Sequence, residues 1–234
     1  MDQNGAAYAG SQLQTQLDVN KRTAELDTAI RVEFPQLVGA TFDWRSPLVA
    51  DNYREYYGAA FLERVDLGQH VPDLEQFWPS RGPQWDALAV LRRPDDDRPG
   101  VLLVEGKSYT DEMLKGAPTT SPPGTPNRQR IDESLSWAQQ RIGMQGGTAA
   151  ADWTGVLYQN ANRLAHLVWL SSLGIEAWFV HALFVEDPHR PTTADEWAVA
   201  VKTANQRLGL DGVTVDRAGH VLLLAGARAE LIAD

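Results

Sequence analysis

Two short apolar runs joined by a charged connection restrict the folding of this chain more than any other feature. Trp85 to Leu91 is too short for a typical helix, and Val101 to Val104 is an unbroken Val/Leu run that leads into Glu105-Gly106-Lys107. The intervening residues 92 to 100 carry two prolines and three aspartates, so they read as an exposed connection and the pair as a hairpin. Neither run alternates apolar with polar residues. Continuous apolar character means that both faces of the sheet are covered, as in the central strands of an α/β domain with helices packed on each side.

The rest of the chain supplies such helices. Residues 1 to about 10 read as a loose tail, after which Leu13, Leu17, Ala24, Ile30 and Val32 mark one or two amphipathic helical stretches closed by Pro35 and Gly39. Leu48 to Val65 places Tyr53, Tyr57, Ala60, Phe61 and Arg64 at three- and four-residue spacing and predicts a helix stopped by Gly68. Gly116 to Asn127, with four prolines, is the longest obvious loop. Val156, Leu157, Leu164, Leu167 and Val168 predict a helix over Trp153 to Leu173 ended by Gly174, and Ile175 to Val185 a buried strand directly after it. Asp195 to Leu208 repeats a helical pattern, and Val213 to Val215 with Val221 to Leu224 suggests a terminal hairpin. The organisation expected is an N-terminal tail and helical extension over 1–45, then one domain over 46–234. No internal repeat is visible.

Composition removes several classes of function. There is no cysteine, which excludes a disulfide framework, a zinc-thiolate site and a cysteine nucleophile and favours a reducing, cytoplasmic setting. Met1 to Gln12 is polar, with neither a basic start nor an apolar core, against a signal peptide, and no apolar stretch is long enough to span a bilayer. The formal net charge is −10, where a nucleic-acid binder usually shows a basic footprint. A local cleft can still be positive on an acidic molecule, and a bound metal adds charge where a phosphate sits.

Glu105 and Lys107 are two apart on a strand, so both project from one face. A hairpin closing near Arg92 and Gly100 pairs residues whose numbers sum to about 192, which sets Asp86 beside Glu105. Two adjacent carboxylates are costly unless a cation joins them, and hard oxygen ligands suit Mg²⁺ or Mn²⁺. Such a metal lowers the pKa of a bound water and stabilises charge on a phosphate, while Lys107 can orient that water or neutralise developing charge.

Trp85-Asp86 opening one apolar strand and Val104-Glu105-Gly106-Lys107 ending the next resemble the PD-(D/E)xK nuclease superfamily over roughly residues 48 to 186, although the proline, Pro83, lies three residues before Asp86. The resemblance implies a restriction-endonuclease-like αβββαβ core with a central mixed sheet flanked by helices. It also implies metal ligation by Asp86, Glu105 and the carbonyl of Gly106, with Lys107 near the attacking water. Members often add an acid from the first core helix, for which Glu55 is chosen over Glu63. Gln159, Arg163 and His166, at i, i+4 and i+7, form a polar stripe on the later helix. Gln159 and Arg163 on it resemble the helix that faces the active site and are assigned to phosphate or supporting contacts, against a plain solvated face.

Other residues take plainer readings. His181, among Trp178, Phe179 and Phe184, reads as a satisfied strand histidine, and Ser108 and Ser171 lack a nucleophile's surroundings. Trp78, Trp85 and Tyr109 are candidates for stacking on bases. The function expected is Mg²⁺-dependent hydrolysis of nucleic acid, with DNA as the foremost substrate and RNA second. A homodimer would suit cutting of two strands, but no residue argues for one. The competing expectation is a catalytically inactive nuclease fold serving as a binding or scaffold module, which the acidic surface favours. Hydrolysis of another phosphate ester at the same site is a third option.

Overall fold

A computed structural model describes residues 1–94, 96–144 and 152–233 of the chain. The N-terminal part forms α1 (Gly10–Asn20), α2 (Thr23–Glu33), β1 (Thr41–Ser46), α3 (Gly58–Arg64) and α4 (Val71–Phe77). Then come β2 (Ala87–Arg93), β3 (Asp96–Lys107), α5 (Thr110–Leu114), α6 (Pro126–Arg141) and α7 (Tyr158–Ser172). The chain ends with β4 (Ala177–Val185), α8 (Ala194–Leu208), β5 (Ala218–Leu224) and α9 (Arg228–Ile232).

The strands make one mixed sheet in the order β1-β2-β3-β4-β5, antiparallel from β1 to β3 and parallel from β3 to β5. Both faces are covered, as continuous apolar strands require. On one face Leu88, Val90, Val101, Leu103 and Phe179 pack with Phe61, Leu135, Leu164 and Leu167 from α3, α6 and α7. On the other, Ala89, Leu102, Val104, Val180 and Phe184 meet Leu26 and Ile30 of α2. Odd-numbered β3 residues face α7 and even-numbered ones face away, so Glu105 and Lys107 continue the α7 side where the apolar ladder stops.

The β2–β3 register pairs Ala87 with Val104 and Leu88 with Leu103. Its continuation sets Asp86 opposite Glu105, one residue from the sum expected. The hairpin is longer than its composition suggests, since Arg93 pairs with Asp96 and the charged connection is largely strand.

Several elements differ from expectation, each for a tertiary reason. The helix expected over Leu48 to Val65 exists only as α3. Asn52 and Tyr53 take left-handed φ values of 50° and 56°, and Tyr56 pairs with Trp85 in an isolated bridge. That pairing and the burial of Tyr53 beside Leu13 and Leu17 outweigh a helical spacing of apolar residues. The N-terminal residues are tied down: Asp2 Oδ1 accepts from the Asn4 and Ala6 amides, and Ala6 and Ala7 are buried. The helix expected from Trp153 starts at Tyr158, although Gly174, at φ 78°, follows its end as expected. Val221 to Leu224 belong to β5, which runs parallel to β4, so no terminal hairpin forms. β1 and α6 carry no clear sequence signal. No helix among the described residues is long and apolar enough to cross a membrane.

Candidate active site

The polar end of the β2–β3 hairpin lies beneath α7, and the sequence-predicted residues from both converge there. Glu105, Lys107 and Arg163 are 1%, 4% and 4% exposed, which disposes of the solvated-face reading for Arg163. Lys107 Nζ donates to Glu105 Oε1 (2.6 Å) and to Gln159 Oε1 (2.8 Å), and Gln159 Nε2 donates to Glu105 Oε1 (2.6 Å). Arg163 Nε donates to the other carboxylate oxygen, Glu105 Oε2, at 2.8 Å, and Nη2 lies 2.7 Å from it. The guanidinium is itself fixed by Asn162 Oδ1 (2.8 Å), by the Gln84 carbonyl (2.6 Å) and by the Trp85 ring, 5.0 Å away.

Asp86 joins this group by accepting from the Gly106 amide at Oδ2 (2.8 Å). Gly106 thus reaches Asp86 through its N–H, not through the carbonyl that the resemblance assigns to a metal. Its Cα faces α1, where an added Cβ would stand 2.4 Å from Thr15 Oγ1, so no larger residue fits between Glu105 and Lys107 without displacing the Thr15 side chain.

Glu55 lies on the loop before α3, not on a helix, yet it reaches the edge of the site. Its carboxylate accepts from Gln12 Nε2 (3.1 Å) and Gln84 Nε2 (2.5 Å), and Gln84 in turn holds Arg163 through its carbonyl. Gln12, Gln84 and Asn162 carry no recognisable sequence signal, because each acts by supporting another side chain across the fold.

The carboxyls differ sharply in charge state. Burial pushes the Asp86 carboxyl well above the usual carboxylate range, and the neighbouring Glu105 charge pushes it further. Burial would also raise Glu105, but Arg163 and Lys107 overcome that and hold it below its ordinary value. Burial raises Glu55, offset in part by its bonds from Gln84 and Gln12.

Other candidates resolve simply. His166 is fully buried between Trp78, Trp85 and Trp169, donates from Nδ1 to the Asn162 carbonyl (2.8 Å), and is held neutral by burial, its pKa pushed down to about 3. His181 pairs with Asn160 Oδ1 (3.2 Å). Trp78 and Trp85 are buried, and Tyr109 lies under Arg190, 4.3 Å from its ring centroid. Ser108 Oγ is buried without a partner among the described residues.

A metal at this site can be judged from the donors present. Asp86 and Glu105 supply hard oxygens, and the half-buried Asp86 carboxyl, raised above its ordinary range and without a cation bonded to it, fits a divalent cation. No cluster of three or more His, Cys, Asp or Glu side chains suited to a metal occurs among the described residues. Both Glu105 oxygens are engaged by protein donors, so ligation there requires Lys107, Gln159 or Arg163 to yield one of its contacts. Comparison of the chain with protein families, with curated proteins and with solved structures finds no match.

Proposed function

We propose that this chain hydrolyses phosphodiester bonds in nucleic acid, DNA foremost, from a restriction-endonuclease-like αβββαβ core. The observation that carries this reading is the convergence of Asp86, Glu105 and Lys107 at one polar end of an otherwise apolar hairpin. The order of strands supports it: three antiparallel strands, β1 to β3, then helix α7 and the parallel strand β4.

In the reaction a water oxygen attacks phosphorus, one P–O ester bond breaks, the water loses a proton and the departing oxygen gains one. Asp86 and Glu105 would hold Mg²⁺ or Mn²⁺, which when bound lowers the pKa of water and offsets phosphate charge. Lys107, which donates to Glu105, orients the nucleophile or stabilises the phosphate's developing charge. Arg163 and Gln159 act first as positioning residues, fixing the Glu105 carboxylate from two sides. Glu55 is an outer acid, linked to the centre through Gln84.

A second reading, an inactive binding or scaffold module of the same fold, is favoured by one specific observation: protein donors already saturate Glu105. Purified wild type, Lys107→Ala and Asp86→Asn, incubated with single- and double-stranded DNA and with RNA in Mg²⁺, Mn²⁺ or EDTA, separate the two. Metal-dependent cleavage that falls about 100-fold or more in both variants is expected for the nuclease. Absence of cleavage by wild type on every substrate, with no Mn²⁺ binding by calorimetry, would establish the module instead.

A further inference from the structure

The lysine and arginine side chains without an ion pair to a described residue are Lys21, Arg54, Arg81, Arg130, Arg141 and Lys202. Three of them line a single groove. Arg54, Arg81 and Arg130 come from the loop before α3, the loop after α4 and the first turns of α6, and together they border a cleft of about 610 Å³. On a chain with a net charge of −10, such a grouping of uncompensated cations is the kind of local positive site that draws a polyanion.

We infer that this groove binds a single-stranded segment of the nucleic acid and leads it to the Asp86–Glu105–Lys107 centre; the inference rests on the nuclease reading above. Glu55 lines the groove and also bonds Gln84, whose carbonyl holds Arg163, so the cleft ends against the edge of the site. Arg130 is oriented by donating from Nη1 to the Glu75 carbonyl (2.9 Å), and Arg54 lies 5.2 Å from the Tyr56 ring centroid. The opposing charges on the walls are Glu55 and Glu75, fewer than the arginines, and Glu55 is turned inward to Gln12 and Gln84.

Shape and surface select a single strand. A cleft of this volume belongs to the range of small-ligand pockets, roughly 300–1,000 Å³, and takes in a nucleotide or two with bases unstacked, whereas a duplex could only lie across it. Tyr57, on the same wall and 45% exposed, offers a ring on which a base can stack without sequence preference.

The test is fluorescence anisotropy with labelled oligo(dT) and with a duplex of equal length, in EDTA so that no strand is cut. Wild type is compared with Arg54→Ala/Arg81→Ala/Arg130→Ala and with Arg141→Ala/Lys202→Ala, which removes cations lacking ion pairs outside the groove. The expected result is oligo(dT) bound more tightly than duplex, a loss of about 10-fold or more in the triple variant, and little change in the double variant. Three phosphate contacts on a single strand should give a log–log salt slope near −2 that flattens when the arginines are removed. Equal loss in both variants, no loss in the triple variant, or tighter binding of duplex would overturn the inference. Arginine-dependent binding by a protein that never cleaves would keep the groove and overturn only the nuclease reading.

Discussion

Asp86, just before β2 and half-buried, and Glu105, fully buried on β3, stand opposite each other at the end of one hairpin, yet only Glu105 has cationic partners. Lys107 and Arg163 both turn to Glu105, and Asp86 keeps a single amide donor. The spacing of Glu105 and Lys107 was readable in the chain, because period-two geometry alone puts them on one face. Arg163 was readable as a member of a stripe, but spacing on a helix cannot tell a buried polar stripe from a solvated one; only the packing of α7 on the sheet decides. Asp18 shows the same limit more plainly. It is 3% exposed on α1, its Oδ2 has no partner among the described residues, and burial raises its pKa to about 7 despite the opposing Arg22 charge, with Glu25 and Glu230 adding to the rise. Below the ordinary aspartate value of 3.8 the carboxyl is neutral whether folded or unfolded. Above it the unfolded chain ionises first, so stability is lost as pH rises from 3.8 to about 7 and the loss is constant beyond. Asp18→Asn removes that loss. Its gain in Tm over wild type should therefore be larger at pH 8 than at pH 5.5, by about 2 kcal/mol or roughly 4–8 °C. Thermal unfolding followed by circular dichroism checks it, and an equal shift at both pH values would mean that Asp18 is ionised in the folded protein.

At the scale of elements, the β2–β3 hairpin, α8 and β4 were legible because their apolar patterning agrees with the packing they find. α8 even carries a complete capping box, Thr193 with Glu196, and ends at Gly209 in the left-handed region. β1 was not legible, since its residues Thr41 to Ser46 mix charge and aromatic character and become a strand only by pairing with β2. The terminal hairpin failed for a related reason: Val221 to Leu224 find a parallel partner in β4 that no local pattern discloses. The placement of α1 also belongs to this scale. The helix lies so close to β3 that Gly106 admits no Cβ beside Thr15 Oγ1, while Phe184 and the Ser11 carbonyl stand at ordinary distance, 3.4 Å. Gly106→Ala is expected to destabilise the protein by about 1–3 kcal/mol through overpacking. Thr15→Ala in the same chain removes the obstructing oxygen and should restore most of that loss in urea unfolding. Failure of the double variant to recover would show that the glycine is needed for backbone conformation and not for the approach of α1.

For the molecule as a whole, the N-terminal helices and the C-terminal segment close on each other. Gln14 on α1 exchanges hydrogen bonds with the Gly226 backbone and also donates to Asp187, while Arg228 pairs with Asp2 and donates to the Ala7 carbonyl. Charge is organised on the same scale. A polyanion approaching from a distance meets a net charge of −10, whereas one already at the groove meets three arginines without ion pairs among the described residues. These two fields have different reach. Raising ionic strength from about 0.01 M to 0.1 M shortens the screening length from roughly 30 Å to 10 Å, which suppresses the long-range repulsion first and leaves contacts at the groove largely in place. The association rate of oligo(dT) should therefore rise with salt over that range, the opposite of a basic nuclease, while the dissociation rate rises more steeply and overall affinity falls. Stopped-flow fluorescence separates the two rates. An association rate that falls monotonically with salt would mean that the arginine groove, and not the net charge, governs approach from solution.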